Sequence, residues 1–187
     1  TEIALDVQWA HAIAPLARIV LIEAPDPSVN SLTNAVRLAN QMGPGVVSMS
    51  FGAPEGSWTS SYEAAFSGTS MSYVAAAGDA GVGVQWPSVS PRVVAVGGTS
   101  LTWTGSGTRK ETVWSSTGGG ISQFTAVPSY QTSSVPGLGN WRTRAASDVS
   151  FNGDPTTGQY VAVITPGTTQ ARWVSAGPTR LSAEVRS

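Results

Sequence analysis

The sequence predicts an α/β fold, a parallel sheet flanked by helices, and three observations carry that prediction. Apolar runs of buried-strand type recur at residues 17–23, 46–51, 71–77 and 92–96. Segments with helical spacing alternate with them. The connections are short and contain Gly or Pro, as in strand–helix–strand units.

The elements follow in order. Residues 2–13 place Ile3, Leu5, Val7, Trp9, Ala10 and Ile13 in a mostly helical pattern that Pro15 ends. Ala17 to Glu23 is a short strand-like run, closed by the turn Ala24-Pro25-Asp26-Pro27. Asn30 or Ser31 caps a helix running to about Gln41, with Leu32, Ala35, Val36, Leu38, Ala39 and Met42 on its apolar face. Gly43-Pro44-Gly45 stops it, and Val46 to Phe51 is the next strand. Thr59 to Ser67 reads as a short helix, and Met71 to Ala77 as a buried strand broken at Gly78-Asp79-Ala80-Gly81. Arg92 to Val96 is a further strand, ended by Gly97-Gly98. From Thr102 to Ala145 the chain is rich in Gly, Ser, Thr and Pro, with isolated aromatics at Trp103, Trp114, Phe124, Tyr130 and Trp141. That half reads as long ordered surface loops. There is no fixed-period repeat and no domain boundary, so residues 1–187 are expected to form a single domain. Thr1 to Asp6 lead straight into a structured segment, and the domain is expected to be part of a longer chain.

Composition narrows the chemistry. Asp, Glu, Lys and Arg make up only 11% of the chain, under half the ordinary share of about 25%. In their place stand 25 Ser and 19 Thr. The absence of Cys excludes a Cys nucleophile, a disulfide framework and a Cys-built zinc site. The single His11 excludes a His-rich metal cage, and any Ser-His-Asp triad would have to pass through it. Ten scattered basic residues and a net charge of -1 argue against nucleic acid or an anionic membrane as partner. No apolar run approaches the roughly 18 residues that span a bilayer.

With so few charges, each acid can be weighed. Glu2 and Asp6 stand at i and i+4 of the first helix, one turn apart on one face. One reading is a solvated first turn, where acids favour a helix N-terminus. The other is a coupled pair sharing a proton, with one member raised in pKa to serve as a base. Asp79 follows a fully apolar strand and is bracketed by glycines, which puts it at the carboxyl edge of a parallel sheet, where ligands gather. A plain turn former explains it as well. Asp148 and Asp154, in SDVSFNGDPTTG, read as turn and cap residues. His11 stands at i+5 from Asp6, turned away from the acid face.

Together these segments resemble the sedolisin family of serine-carboxyl peptidases, in the right order through most of the chain. The matching blocks are Glu2-x-x-x-Asp6 with AHAIAPLARIVLIEAP, VVSMSFGAPE, AAAGDAG, and WPSVSPRVVAVGGTSL. ETVW with GGGIS and VPSYQ follows, and then SDVSFNGDPTTG. The resemblance implies a subtilisin-like α/β fold, here a partial catalytic domain, and peptide-bond hydrolysis at acidic pH. Glu2 is then the general base for a serine nucleophile, Asp6 tunes Glu2, and Asp79 donates a hydrogen bond to the oxyanion in its protonated form. Ser50, Phe51 and Gly52 line the substrate cleft, with Phe51 where some members carry Trp. The implied partner is a polypeptide, the implied state a secreted monomer. The family's calcium site lies beyond its serine motif, so no cofactor and no metal ligand is expected within residues 1–187.

At one place the chain departs from the family. The nucleophile motif Gly-Gly-Thr-Ser-x-x-Ala-Pro follows the DPTTG block, and that stretch here reads Gly177-Pro178-Thr179-Arg180-Leu181-Ser182-Ala183-Glu184. Arg180 occupies the serine's place, and Pro178 removes a backbone N–H from a tight turn. Ser175 and Ser182 are near but lack the motif's spacing, so the nucleophile is unassigned. Two expectations follow: an acid endopeptidase domain with an altered or incomplete C-terminal end, or a non-catalytic relative that binds peptide or serves as an inert scaffold. A retaining glycosidase is disfavoured, because acids one turn apart on one helix do not flank a sugar from opposite sides.

Overall fold

The computed structural model describes residues 2–132, 141–165 and 167–177. Helix α1 (Glu2–Ile13) is followed by α2 (Val29–Asn40), β1 (Gly45–Met49) and β2 (Ala53–Pro54). A 3-10 helix over Thr59–Phe66 leads to β3 (Met71–Ala76), β4 (Gln85–Trp86) and β5 (Val94–Thr102). The second half contains β6 (Lys110–Val113), β7 (Gly120–Ala126), α3 (Ser129–Thr132), β8 (Thr143–Ala146), β9 (Val149–Asn152), β10 (Gln159–Ile164) and β11 (Ala171–Ala176). The main sheet runs β1-β3-β5, with β1, β3 and β5 parallel. Strand β9 pairs parallel to β5 on the edge opposite β3, and β6 pairs antiparallel to the end of β5. This is the parallel α/β sheet that the apolar runs predict.

The core lies between this sheet, α2 and the 3-10 helix. It contains Val36, Met49, Phe66, Tyr73, Trp86, Val89 and Val93. Trp86 is fully buried and is the hub of an aromatic cluster, with ring centroids 5.8–6.0 Å from Phe51, Trp58, Tyr62 and Phe66. Two of the polar side chains at it are satisfied in sequence-distant pairs: Tyr73 Oη donates to Asn40 Oδ1 at 2.6 Å, and Asn40 Nδ2 donates to Ala65 O at 2.8 Å.

Four segments differ from the expectations. Residues 17–23 form no strand; no ladder among the described residues includes them, and Ile19, Val20 and Leu21 are exposed. Their apolar character gives strand propensity, but a strand needs a paired edge and this segment has none. Helix α2 starts two or three residues earlier than Asn30 or Ser31 would set it. Ser28 is its N-cap, accepting from Ser31 N at 3.2 Å, while Asp26 accepts from Ser28 N and Ser31 Oγ. These bonds hold the Asp26 carboxyl below its ordinary value. Strand β5 runs straight through Gly97-Gly98, which do not end it. They are glycines because neighbours close in, a Cβ at Gly98 lying 2.8 Å from the Trp114 ring and one at Gly97 2.8 Å from Ser147 Oγ. Finally, residues 102–145 are not all loops. They form β6, β7, α3 and the start of β8, in strands too polar for an apolar alternation to mark them.

The fold also carries an acid-dependent contribution. Glu63 accepts from the buried Ser90 hydroxyl at 2.6 Å. Burial raises its pKa, against the lowering effects of Ser90, Arg92 and Arg144. The folded chain therefore holds this proton more tightly than the unfolded chain. The resulting stability is fully present below the unfolded value of 4.5 and is lost as pH rises through the higher folded value. Wild type should thus lose melting temperature relative to Glu63→Gln between about pH 4 and pH 7. A difference that stays flat across that window would contradict this account.

Candidate active site

Parallel strands present their carboxyl ends along one edge, and Asp6 and the Asp79 turn stand there. In the β1/β3 register Met49 stands opposite Ala75, so Ser50 leaves the sheet beside Ala76 and Asp79 follows three residues on. Ser50 Oγ donates to Asp6 Oδ1 at 3.1 Å, which brings the acid face of α1 to the end of β1. Asp6 keeps solvent contact as a residue, yet desolvation of its carboxyl raises its pKa and the Ser50 bond opposes the rise only in part. Glu2 lies one turn before Asp6 on the same helix, with its Oε1 shielded from solvent. Asp79 Oδ1 is shielded as well.

Helix α1 is held in place from below. Leu5, its one buried residue, packs on Val161 and Ala176 of the β10–β11 hairpin. Gln8 clasps the free edge of that hairpin, donating to Ala162 O at 2.8 Å and accepting from Ala162 N at 3.0 Å. Trp9 Nε1 adds a bond to Tyr160 O at 3.2 Å. His11 sits exposed near the end of α1.

The Asp79 loop is laced to residues 116–119. Gly118 N donates to Gly78 O at 2.7 Å, Gly81 N to Ser116 O at 2.8 Å, and Gly83 and Gly119 exchange two bonds of 2.9 Å. Gly78 turns the chain out of β3 at φ +117°, in the region that favours glycine. A Cβ at Gly118 would lie 2.0 Å from Ala77 O, so only glycine allows this approach. Of the cleft residues, Gly52 is buried, and Phe51 is half-buried against Trp86.

The DPTTG turn supports the far side. Asp154 accepts from Ser100 Oγ and from Thr156 N and Oγ1, which holds its carboxyl below the ordinary range. A Cβ at Gly177 would lie 1.9 Å from Gly153 O, so the start of the serine-motif block passes directly over this turn. Pro178, Arg180, Ser182 and Glu184 lie outside the described residues.

Two groups escaped the reading of the sequence. Asp148 is no plain cap. The fully buried Arg144 grips it with Nη1 to Oδ1 at 3.0 Å and Nη2 to Oδ2 at 2.6 Å, and Asp148 Oδ2 also accepts from Ala95 N at 2.7 Å. The i,i+4 spacing of two opposite charges in a charge-poor chain was the available signal. Glu55 accepts from Ser122 Oγ at 2.6 Å and from Gln123 N at 2.8 Å. No local pattern announces a partner 67 residues away. Among the described residues no group of three or more His, Asp or Glu could hold a metal ion, and no helix is long and apolar enough to cross a membrane.

A parallel sheet flanked by helices, with acids from a helix and a post-strand turn at its carboxyl edge, is the layout of a subtilisin-like peptidase domain. Comparison with known proteins agrees. The subtilase family model matches residues 4–181. Kumamolisin from Bacillus sp. (strain MN-32) is 36% identical over 193 aligned residues, covering 87% of this chain and 34% of the relative. Sedolisin from Pseudomonas sp. (strain 101) is 38% identical over 91 residues, 42% of this chain and 15% of the relative. The structure of Pseudomonas sedolisin, a serine-carboxyl proteinase complexed with pseudo-iodotyrostatin, superposes with a TM-score of 0.64. It is 26% identical and covers 80% of this chain and 48% of that one. The chain belongs to the subtilase family and is a sedolisin-like member of it. It spans about a third of the length of kumamolisin.

Proposed function

We propose that this chain is part of the catalytic domain of a secreted acid endopeptidase of serine-carboxyl type, binding a polypeptide along the edge formed by Ser50, Phe51 and Gly52. The observation that carries the reading is the Ser50–Asp6 bond, which ties the acid helix to the cleft strand beside the Asp79 turn. In the proposed mechanism Glu2 takes the proton from the attacking hydroxyl, and Asp6, its pKa raised by desolvation, shares a proton with Glu2 and tunes its basicity. Asp79 acts as a neutral acid, donating to the oxygen that becomes negative in the tetrahedral intermediate. A neutral carboxylic acid in that role and a carboxylate base together favour an acidic medium, where His would be fully protonated. No step draws on a metal or cofactor held by residues 1–187.

Arg180 at the serine's place supports a second reading, a relative that binds peptide without cleaving it. A guanidinium cannot attack a carbonyl. Digestion of a denatured protein at about pH 4, within the range where a carboxylate base works, should therefore show no cleavage by the chain as it stands. Pro178→Gly combined with Arg180→Ser should restore cleavage. Adding Glu2→Gln should abolish that cleavage, and adding Asp79→Asn should lower it by about 10²–10³-fold. Cleavage indifferent to Glu2 and Asp79, or none from the repaired chain, would defeat the mechanism.

A further inference from the structure

A cavity of about 250 Å³ adjoins the cleft strand, walled by Pro54, Val84, Ile121 and Phe124 with Glu55 and Gln123 as its polar members. Two of its walls continue the segments of the candidate site. Residues 53–55 follow Ser50-Phe51-Gly52, and residues 83–84 follow the Asp79 turn. These two segments are joined by the β2–β4 pairing of Ala53 with Trp86 and Pro54 with Gln85. A side chain projecting from a peptide on the Ser50–Gly52 edge therefore has this cavity as a neighbour.

The chemistry inside it is asymmetric. Glu55 is half-buried, and its two oxygens accept one bond each, from Ser122 Oγ and Gln123 N. Both partners are neutral, and a carboxylate has further lone pairs to offer. The ion pairs among the described residues are Arg109–Glu111 and Arg144–Asp148, so no cation there sits on Glu55. The two bonds fix the carboxylate's position, and among the described residues no cation compensates its charge, beside walls that are mostly aliphatic or aromatic. An open pocket that sets apolar side chains beside a fixed carboxylate suits a long aliphatic stem with a cationic head.

We propose that this cavity receives a lysine or arginine side chain of the bound polypeptide, its stem against Val84, Ile121 and Phe124 and its head on Glu55. The proposal rests on the peptide-binding reading above and adds to it a preference for basic residues at one position. Glu55 is the residue that determines this specificity, and it takes no part in the chemistry at Glu2, Asp6 or Asp79.

The test is direct binding to the 187-residue chain at about pH 6, where carboxylates in general are ionised. The probes are blocked hexaalanine peptides carrying one arginine, or one norleucine at the same position, scanned along the peptide. At one position the arginine peptide should bind about tenfold more tightly than its norleucine twin. Glu55→Gln, which keeps an acceptor but loses the charge, should bring the two within about twofold. Gln123→Lys offers a tethered cation at an exposed position, leaves both Glu55 bonds in place, and should erase the preference equally. Equal binding of arginine and norleucine peptides at every position would overturn the cavity assignment while leaving the peptide-binding reading intact. Failure of every peptide to bind would overturn both.

Discussion

Replacing Arg144 by leucine lowers stability by about 3–5 kcal/mol, the cost of leaving one member of a buried ion pair alone. The guanidinium is fully buried, and besides Asp148 it donates to the carbonyls of Val93 at 3.0 Å and Ser88 at 3.3 Å. Asp148 in turn exchanges backbone and side-chain bonds with Ala95, and Gln131 donates to both Ala145 O and Asp148 Oδ1. The pair therefore joins the entry to β5, the entry to β9 and α3. For a domain of this size the loss corresponds to a drop in melting temperature of roughly 10 °C. Arg144→Leu combined with Asp148→Leu should be less harmful than Arg144→Leu alone, because no uncompensated carboxylate then remains. Additive losses in the double variant would show that the pair is not the unit that matters.

Trp86→Ala should cost a similar 3–5 kcal/mol, the usual range for emptying a large aromatic from a core. Its ring touches Phe51, Trp58, Tyr62 and Phe66, so the cavity left behind opens into the whole cluster. Trp86 Nε1 has no hydrogen-bond partner among the described residues, so Trp86→Phe gives up volume but no bond and should be much milder. Equilibrium urea unfolding separates the two variants. The alanine variant should also lose peptide binding, because Phe51 packs on Trp86 and belongs to the edge proposed to bind the peptide. Trp86→Ala melting like wild type would contradict the hub role.

The two predictions mark what the sequence could and could not convey. The parallel sheet was legible because β1, β3 and the first half of β5 are short apolar runs bordered by Gly, a local signal. The same signal misled at residues 17–23, because whether Ile19 and Leu21 enter a sheet depends on an edge contributed by distant residues. Strands β6 and β7 went unread for the converse reason. Lys110–Val113 is exposed throughout, and β7 buries Ser122 rather than an apolar side chain. At the site, the spacing of Glu2 and Asp6 and the glycines around Asp79 marked these acids as candidates but left a solvated helix turn and a plain turn former equally open, and only the family resemblance joined the three. The bond from Ser50 to Asp6 spans 44 residues, and no periodicity could reveal it. Asp148 read as a turn or cap residue because nothing local shows that Arg144 is buried beside it, and Glu55 went unread because its partners are a hydroxyl and a backbone N–H, which every stretch of sequence contains.

Gln8 bears on the order in which the molecule assembles. Its two bonds to Ala162 close a loop of 154 residues, and they seat the helix that carries Glu2 and Asp6. Contacts of such sequence separation form late, since the entropy of closing the loop is lost before the contact is gained. During synthesis α1 emerges before residue 162, and it cannot make these bonds until that residue has left the ribosome. Glu2 and Asp6 are thus synthesised ahead of the strand that seats their helix, and the candidate site takes shape only after that strand is made.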